Sequence, residues 1–270
     1  MMVCKANQFA HPTLTSRLAP SHNSIYATHI LNYSGCRITR ATLGASVACT
    51  ETIRNYVHRD GYAFTPEFHV EREAQDAFER IGKIDVLEGF ASVQTLTPKS
   101  ETNTTPNTYS GNYGLGEFPF HTDLAHWSVP PRYIALRCEV GAASVATRVL
   151  DGANVIESLG EDLLYHSLVT PRRPMQYGHQ LLRIVDKPNP DEGVLFRWDS
   201  LYLRAANKAA VEALDRIMQM LKTATPSEFL LRNRGDTLVI DNWRMLHGRS
   251  PVGTDSISRN IKRAYLSELQ

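Results

Sequence analysis

The segment FHTDLAHW, residues 120–127, places two histidines and an aspartate among apolar residues. In a β-strand, residues i and i+2 face the same side, so His121 and Asp123 should project together while Thr122 points away. An imidazole and a carboxylate on one face are two potential metal ligands. A third ligand must come from elsewhere, because three ligands from one short strand cannot surround a metal.

His247 is our candidate for the third ligand. It lies in the apolar segment DTLVIDNWRMLHGRS, which begins at the turn-like pair Gly235-Asp236 and is predicted to form a strand. Two histidines and one carboxylate make the facial triad typical of non-haem Fe(II) oxygenases, and they leave three of six iron positions open. His126 competes for either histidine position. It lies five residues after His121, on the opposite face of a regular strand, so we interpret it as a rim residue.

The surrounding sequence predicts the elements that position these residues. Helical spacing occurs over residues 51–61 and in EREAQDAFERIGKI, where Gly82 should end the helix. Residues 99–119 are polar and rich in Gly, Pro and Asn, which predicts a long loop of a length that is often functional. Short strands follow, interrupted by a helix at residues 207–224. Many short strands and few helices predict a mainly β sandwich or barrel with helical additions.

The chain is predicted to be one domain with a short extension. Its net charge of +1 gives no bulk attraction to nucleic acid or membranes, and no apolar run reaches the roughly 18–20 residues of a membrane span. The first fifty residues lack Asp and Glu, a bias typical of organelle transit peptides. The alternation over residues 26–50 instead favours the first strands of a fold. We therefore predict a loose extension over residues 1–25 and a single domain over residues 26–270.

Cysteine usage indicates the compartment. The four cysteines are scattered without a CxxC pair, which favours reduced thiols (Cys4, Cys36, Cys49 and Cys138). We expect a cytoplasmic protein with a small-molecule substrate and no nucleic-acid or membrane partner. A homo-oligomer is compatible with the sequence.

Three blocks resemble the TauD/TfdA-like Fe(II)/2-oxoglutarate-dependent dioxygenases, closest to their γ-butyrobetaine hydroxylase branch. The blocks are FHTDLAHWSVPPRYIALRC (120–138), ATRVLDG (146–152), and GDTLVIDNWRMLHGRSPV with SRNIKRAYL (235–252 and 258–266). The resemblance implies a double-stranded β-helix (jelly-roll) core with flanking helices, and it implies Fe(II), 2-oxoglutarate and O2 as cofactor and co-substrates. The implied reaction couples oxidative decarboxylation of 2-oxoglutarate, with release of succinate and CO2, to hydroxylation of an unactivated C–H bond.

The resemblance also implies roles for individual residues. His121, Asp123 and His247 match the iron ligands. Arg259 matches the arginine that grips the distal carboxylate of 2-oxoglutarate, for which a planar guanidinium fork is well suited. Thr147 matches the threonine whose hydroxyl shares that carboxylate. Because Asp123 keeps the carboxylate that halogenating relatives lack, hydroxylation is the expected outcome, with desaturation or cyclisation as alternatives.

Four residues are predicted to bind the substrate. Arg263 stands four positions after Arg259, on the same face of a strand, and in taurine-oxidising relatives an arginine at this offset binds the substrate's anionic group. A buried arginine without an anionic partner is costly, so we expect the substrate to supply the anion. Tyr113 and Tyr265 match two positions of the trimethylammonium cage of butyrobetaine hydroxylases. Asp199, in LFRWDSLYLR, could pair a substrate amine.

Each of these residues also has a structural interpretation. Arg263 could assist 2-oxoglutarate or form an internal salt bridge, and either tyrosine could serve core or rim packing. Asp199 could cap a turn or bind a neighbouring arginine. The functional interpretations together predict a small charged or zwitterionic metabolite, such as an amino acid or a betaine-like compound.

Two other classes of function use the same residues. The His/Asp/His set could hold zinc and activate water for hydrolysis. Arg259 and Thr147 argue against this, because a hydrolase has no need of a dicarboxylate clamp. A non-catalytic, metal-binding jelly roll is the third interpretation, and the intact ligand set argues against it.

Overall fold

The computed structural model describes residues 43–173, 180–189 and 192–270. In chain order these residues form α1 (Leu43–Asp60), β1 (Tyr62–Thr65), α2 (Ala74–Ile81), β2 (Gly82–Ile84), β3 (Gln94–Leu96), α3 (Tyr109–Tyr113), β4 (Phe118–His121), β5 (Tyr133–Val140), β6 (Ala146–Asp151), α4 (Ala153–Leu159), α5 (Glu161–His166), β7 (Leu168–Pro171), β8 (Leu182–Arg183), β9 (Val185–Asp186), β10 (Leu195–Phe196), β11 (Leu203–Ala205), α6 (Lys208–Thr223), β12 (Ser227–Leu230), β13 (Thr237–Asp241), β14 (Met245–Arg249) and β15 (Asn260–Leu269). Short 3-10 helices lie at Glu101–Asn103 and Thr254–Ser256. None of the helices in these ranges is long and apolar enough to cross a membrane.

Two antiparallel sheets form the centre of the fold. The larger has the strand order β1-β13-β5-β15-β2, with β3 also paired to β15, and the smaller has the order β12-β6-β14-β4. Strands that are neighbours in a sheet are far apart in sequence, as β13 and β5 or β14 and β4 show. This is the predicted mainly β, jelly-roll architecture with flanking helices.

The core between the sheets follows from the alternation of side chains along the strands. Apolar residues of both sheets share one buried cluster, among them Ile134, Leu136, Val149, Leu238, Ile240, Met245 and Ile261. The intervening residues Ala135, Val239 and Ala264 pack on the other face of the larger sheet, against α1 and α2. Because alternate residues face opposite sides, His247, two positions after Met245, lies on the inner face.

Helices cover the outer faces at the predicted places. α2 buries Ala74, Ala77, Phe78 and Ile81 at helical spacing and ends at Gly82. α6 begins where the Asn207 side chain accepts a hydrogen bond from the Ala210 amide, and it buries Ala210, Ala213 and Ile217. These buried residues of α6 pack with α4, α5 and the short strands β7 to β11.

Two local predictions differ from the structure. The alternating segment 26–50 was expected to form strands, but residues from Leu43 onward are helical, and residues 26–42 lie outside the described ranges. The helix predicted at residues 51–61 therefore begins earlier. The segment 99–119 is not loop throughout, because it contains a 3-10 helix, α3 and the start of β4. In α3, the Thr108 hydroxyl accepts a hydrogen bond from the Gly111 amide and so caps the first turn.

Candidate metal and active site

His121 and His247 lie directly opposite each other on the paired strands β4 and β14. A Cβ at Gly248 would come within 2.7 Å of the Phe118 carbonyl oxygen, so glycine permits the close approach of these strands. The two imidazole ring centroids are 4.4 Å apart. A strand pairing that joins residues more than 120 positions apart therefore brings the two histidines together.

Asp123 lies just beyond the end of β4, in a turn held by Asn242. The Asn242 side chain accepts a hydrogen bond from the Asp123 amide (2.7 Å) and donates to the Asp123 and Pro131 carbonyls (3.0 and 2.9 Å). The next residue, Leu124, has a φ of 55°, an uncommon conformation for a residue with a branched side chain. The buried amide thus holds a tight turn that directs the Asp123 carboxylate at the histidines.

Nε2 of His121 and Nε2 of His247 each lie 3.4 Å from Oδ1 of Asp123. One ligand atom from each of the three buried residues falls within 4.8 Å of the others. The His121 Nδ1 atom lies 2.8 Å from the Pro119 carbonyl, so Nδ1 donates there. Nε2 of neutral His121 then directs its lone pair toward the carboxylate. Three electron-pair donors that converge in this way suit a divalent cation.

The local charges also favour an ionised Asp123. Burial raises the pKa of Asp123, but the Arg263 guanidinium and the two histidines outweigh it and hold that pKa well below its usual range. Burial and the nearby His121 lower the pKa of His247. Burial also lowers the pKa of His121, but Asp123 outweighs it and raises that pKa, so a metal ion must displace the proton that Asp123 favours there. A carboxylate beside a neutral imidazole is the protonation state that metal binding requires.

Oδ2 of Asp123 is occupied by two donors from β15. Arg263 donates from Nη1 at 2.7 Å and the Tyr265 hydroxyl donates at 2.9 Å. Arg263 Nη2 also donates to Oε1 of Gln94 at 2.6 Å. The expectation that Arg263 lacks an internal anionic partner is therefore wrong, and Asp123 supplies the anion that we expected from the substrate. Tyr265 is 3% exposed, and its hydroxyl is likewise engaged with Asp123 rather than free for a cation.

Arg259 is buried without a carboxylate partner among the described residues. Its side chain forms no ion pair there, its Nε makes no hydrogen bond, and burial lowers its pKa to about 10. Arg249, on β14, has its pKa lowered to about 10, mainly by burial and in smaller part by the nearby charge of Arg259. Thr147 lies opposite Arg249 on β6, at a buried position. Among the described residues, neither of these neighbouring arginines forms an ion pair, so their positive charge is uncompensated there.

An aromatic cluster also adjoins His121. Tyr109 stacks on the His121 ring at 4.2 Å between centroids, and it contacts Tyr113 and Tyr202 at 5.7 and 5.8 Å. The buried Asp199 accepts hydrogen bonds at Oδ1 from the Leu201 and Tyr202 amides, so it caps a turn.

Asp199 is also an electrostatic neighbour of the site. Burial and the Asp199 charge raise the pKa of Tyr109, and the same carboxylate acts on His121. Neighbouring Arg197 donates to backbone carbonyls instead of to Asp199. The carboxylate therefore has no arginine partner in the described ranges. His126 lies outside the ligand group, with its ring 5.4 Å from that of Tyr202.

Sequence reasoning missed three residues of this site. Tyr109 precedes Tyr113 by four positions, so helical spacing within the polar segment was the signal that could have found it. Asn242 stands inside the DNWR string, yet nothing local shows that its amide holds a turn more than 100 residues away. Gln94 is found only through the pairing of β3 with β15, which sets it opposite Arg263.

Comparison with known families and curated proteins gives two findings. A family model described as "Taurine catabolism dioxygenase TauD, TfdA family" matches residues 41–265. Gamma-butyrobetaine dioxygenase from Homo sapiens is 26% identical over an alignment of 177 residues that covers 57% of this chain and 45% of that protein. The protein of the same name from Pongo abelii matches to the same extent. The chain thus spans less than half the length of the curated relatives it matches.

Solved structures share the fold at low identity. An asparagine oxygenase in complex with Fe(II), 2S,3S-3-hydroxyasparagine and succinate has a TM-score of 0.61 at 18% identity, covering 83% of this chain and 81% of that one. The non-heme iron oxygenase OrfP in complex with Fe, succinate and (3S)-hydroxy-L-Arg has a TM-score of 0.55 at 17% identity, covering 82% and 80%.

Proposed function

Because the chain belongs to the TauD/TfdA dioxygenase family, we propose that it is an Fe(II)- and 2-oxoglutarate-dependent oxygenase of a small charged or zwitterionic metabolite. The proposed reaction hydroxylates an unactivated C–H bond of an amino-acid-like or betaine-like compound and releases succinate and CO2. Desaturation or cyclisation of the same class of substrate is the alternative outcome.

The convergence of His121, Asp123 and His247 carries this proposal. Their ligand atoms lie within 4.8 Å of one another, and the donor set of two imidazoles and one carboxylate suits Fe(II). Bound iron would supply the redox chemistry that couples O2 to the oxidation of 2-oxoglutarate and substrate. The three protein ligands would occupy one face of the iron and leave its other three coordination positions for 2-oxoglutarate and O2.

Arg259 and Thr147 would hold 2-oxoglutarate. A guanidinium that is 7% exposed and lacks a described carboxylate partner is costly to bury, and a dicarboxylate would offset that cost. The guanidinium fork can also fix the orientation of the bound carboxylate, as charge-assisted hydrogen bonds from arginine do. Neither a zinc hydrolase nor an inert scaffold would need this buried cation.

Asp199 and the tyrosines around it would receive the substrate's cationic group. Asp199 is 2% exposed and has no arginine partner in the described ranges. Tyr109, which the Asp199 charge influences, stacks on His121 and contacts Tyr113. A carboxylate beside aromatic rings attracts an ammonium group by charge and by cation–π contact. Amino-acid products in the two similar solved structures, and the butyrobetaine relative, support a substrate of this class.

Anaerobic addition of Fe(II) and 2-oxoglutarate to the purified protein tests the metal and co-substrate. Chelation of iron by 2-oxoglutarate should give a weak visible charge-transfer band, which a zinc hydrolase or inert jelly roll would not show. The substrate class is then tested with a panel of amino acids, betaines, sulfonates and phosphonates. We expect succinate release and a mass gain of one oxygen with an amino acid or betaine. Turnover only of compounds that lack a cationic group, such as sulfonates or phosphonates without an amine, would contradict the cationic-substrate proposal.

A further inference from the structure

The two oxygens of the Asp123 carboxylate have different surroundings. Oδ1 lies 3.4 Å from the Nε2 atom of each ligand histidine. Oδ2 points the other way and accepts two hydrogen bonds, from Arg263 at 2.7 Å and from Tyr265 at 2.9 Å. Only one oxygen is therefore presented to the cation site.

The two donors are themselves held in place. Gln94 is the register partner of Arg263 on β3, and its Oε1 accepts the second guanidinium hydrogen bond at 2.6 Å. The Tyr265 ring packs in the buried cluster between the sheets, and the Arg263 guanidinium lies 5.0 Å from its centroid. Arg263 is therefore held by a hydrogen bond to the Gln94 side chain, and Tyr265 by packing in the core. The orientation of the carboxylate is thus built into the larger sheet, although both histidines come from the smaller one.

We propose that Arg263 and Tyr265 are positioning residues that reserve Oδ1 of Asp123 for the metal and keep the carboxylate a single-oxygen ligand. The inference rests on the proposed metal site and concerns how this chain builds it. If the carboxylate could rotate, both oxygens could bind the cation and take a position needed by 2-oxoglutarate or O2. Two donors on Oδ2 prevent this rotation. Partners that orient a metal ligand typically change metal affinity ten- to hundredfold when they are removed.

Titration of the metal-free protein with Co(II), without 2-oxoglutarate, tests the proposal apart from catalysis. Tyr265→Phe removes one hydroxyl and keeps the buried ring, and we expect about tenfold weaker Co(II) binding. Arg263→Met removes the charged donor, and we expect a loss toward hundredfold. The visible absorption of bound Co(II) should also change in both variants, because the coordination number and geometry depend on how Asp123 binds. A purely structural role would lower stability without altering this spectrum.

Two matched controls lie nearby. Tyr133 is a buried tyrosine on β5 that packs on the outer face of the same sheet, so Tyr133→Phe should leave Co(II) affinity and spectrum unchanged. Lys262 adjoins Arg263 but donates to Thr95, so Lys262→Met should also have no effect. If Arg263→Met does not fold, Tyr265→Phe still decides the question.

Wild-type affinity and spectrum in Tyr265→Phe and in any folded Arg263→Met would overturn the proposal. Failure of the wild-type protein to bind Co(II) would overturn the metal site itself, and the proposed function with it. Normal Co(II) binding by wild type with no change in the variants would overturn only the positioning role.

Discussion

Replacing Arg259 with lysine should weaken 2-oxoglutarate binding roughly ten- to hundredfold. The side chain is 7% exposed, and burial lowers its pKa to about 10. Each pKa unit corresponds to about 1.4 kcal/mol, so the folded protein gives up a few kcal/mol to keep this charge buried. A bound carboxylate offsets that cost, so the buried charge favours the complex.

Lysine keeps the charge but loses the geometry. Its ammonium group is a point charge on a flexible stem and cannot present two parallel donors to one carboxylate. Losing one hydrogen bond to a charged group costs about 1.5–3 kcal/mol, which corresponds to the ten- to hundredfold change in affinity. The free energy of unfolding of the ligand-free protein should change much less.

Calorimetric titration of 2-oxoglutarate into the Mn(II)-loaded protein measures this change without turnover. Arg137→Lys is the matched control, because Arg137 is likewise a buried arginine but donates to the backbone carbonyls of Phe68 and His69, away from the ligand group. The control should lose stability and keep its affinity for 2-oxoglutarate.

Unchanged affinity in Arg259→Lys would refute the assignment of Arg259 to 2-oxoglutarate. Arg249 would then be the next candidate, since burial also lowers its pKa to about 10 and its guanidinium donates only to the Gly114 and Gly116 carbonyls among the described groups. Arg263 would not be, because Asp123 and Gln94 already occupy its Nη atoms.

Four further variants test other parts of the site. His121→Ala or His247→Ala should abolish succinate release while circular dichroism shows an intact fold, and turnover in either would remove that residue from the ligand set. Burial raises the pKa of Asp199 above 3.8, so its ionised form costs stability as pH rises above that value. Asp199→Asn keeps the turn cap but removes the buried charge, so it should raise the free energy of unfolding at pH 7. Urea titrations should show this gain shrinking toward pH 4. An equal gain at all pH values would contradict a charge effect. Asn242→Ala should lower the free energy of unfolding by about 1–3 kcal/mol, because it leaves buried backbone groups at Asp123 and Pro131 unpaired. It should also weaken Co(II) binding. Normal Co(II) binding would mean that the turn at Asp123 forms without the Asn242 amide.

The sequence determined the features that depend on local pattern. Helical spacing located α2 with its end at Gly82, and it located α6. The i, i+2 relation of His121 and Asp123 predicted that both side chains face one site, and they do, although β4 ends at His121 and Asp123 lies in the turn that follows. The blocks around His121 and His247 identified the family, because each is a short motif whose residues act together.

Tertiary structure decided which distant groups meet. From the sequence, Arg263 was expected to have no anionic partner within the protein. Only the pairing of β15 with β3, and the position of β15 beside the turn after β4, show that Gln94 and Asp123 accept hydrogen bonds from Arg263. Tyr109 likewise becomes part of the site only because α3 stacks it on His121. The direction of a side chain on one strand follows from the two-residue alternation of the extended backbone, so it can be predicted from sequence. The partner of that side chain depends on strand order and register across the sandwich, and these are set by the packing of the whole core.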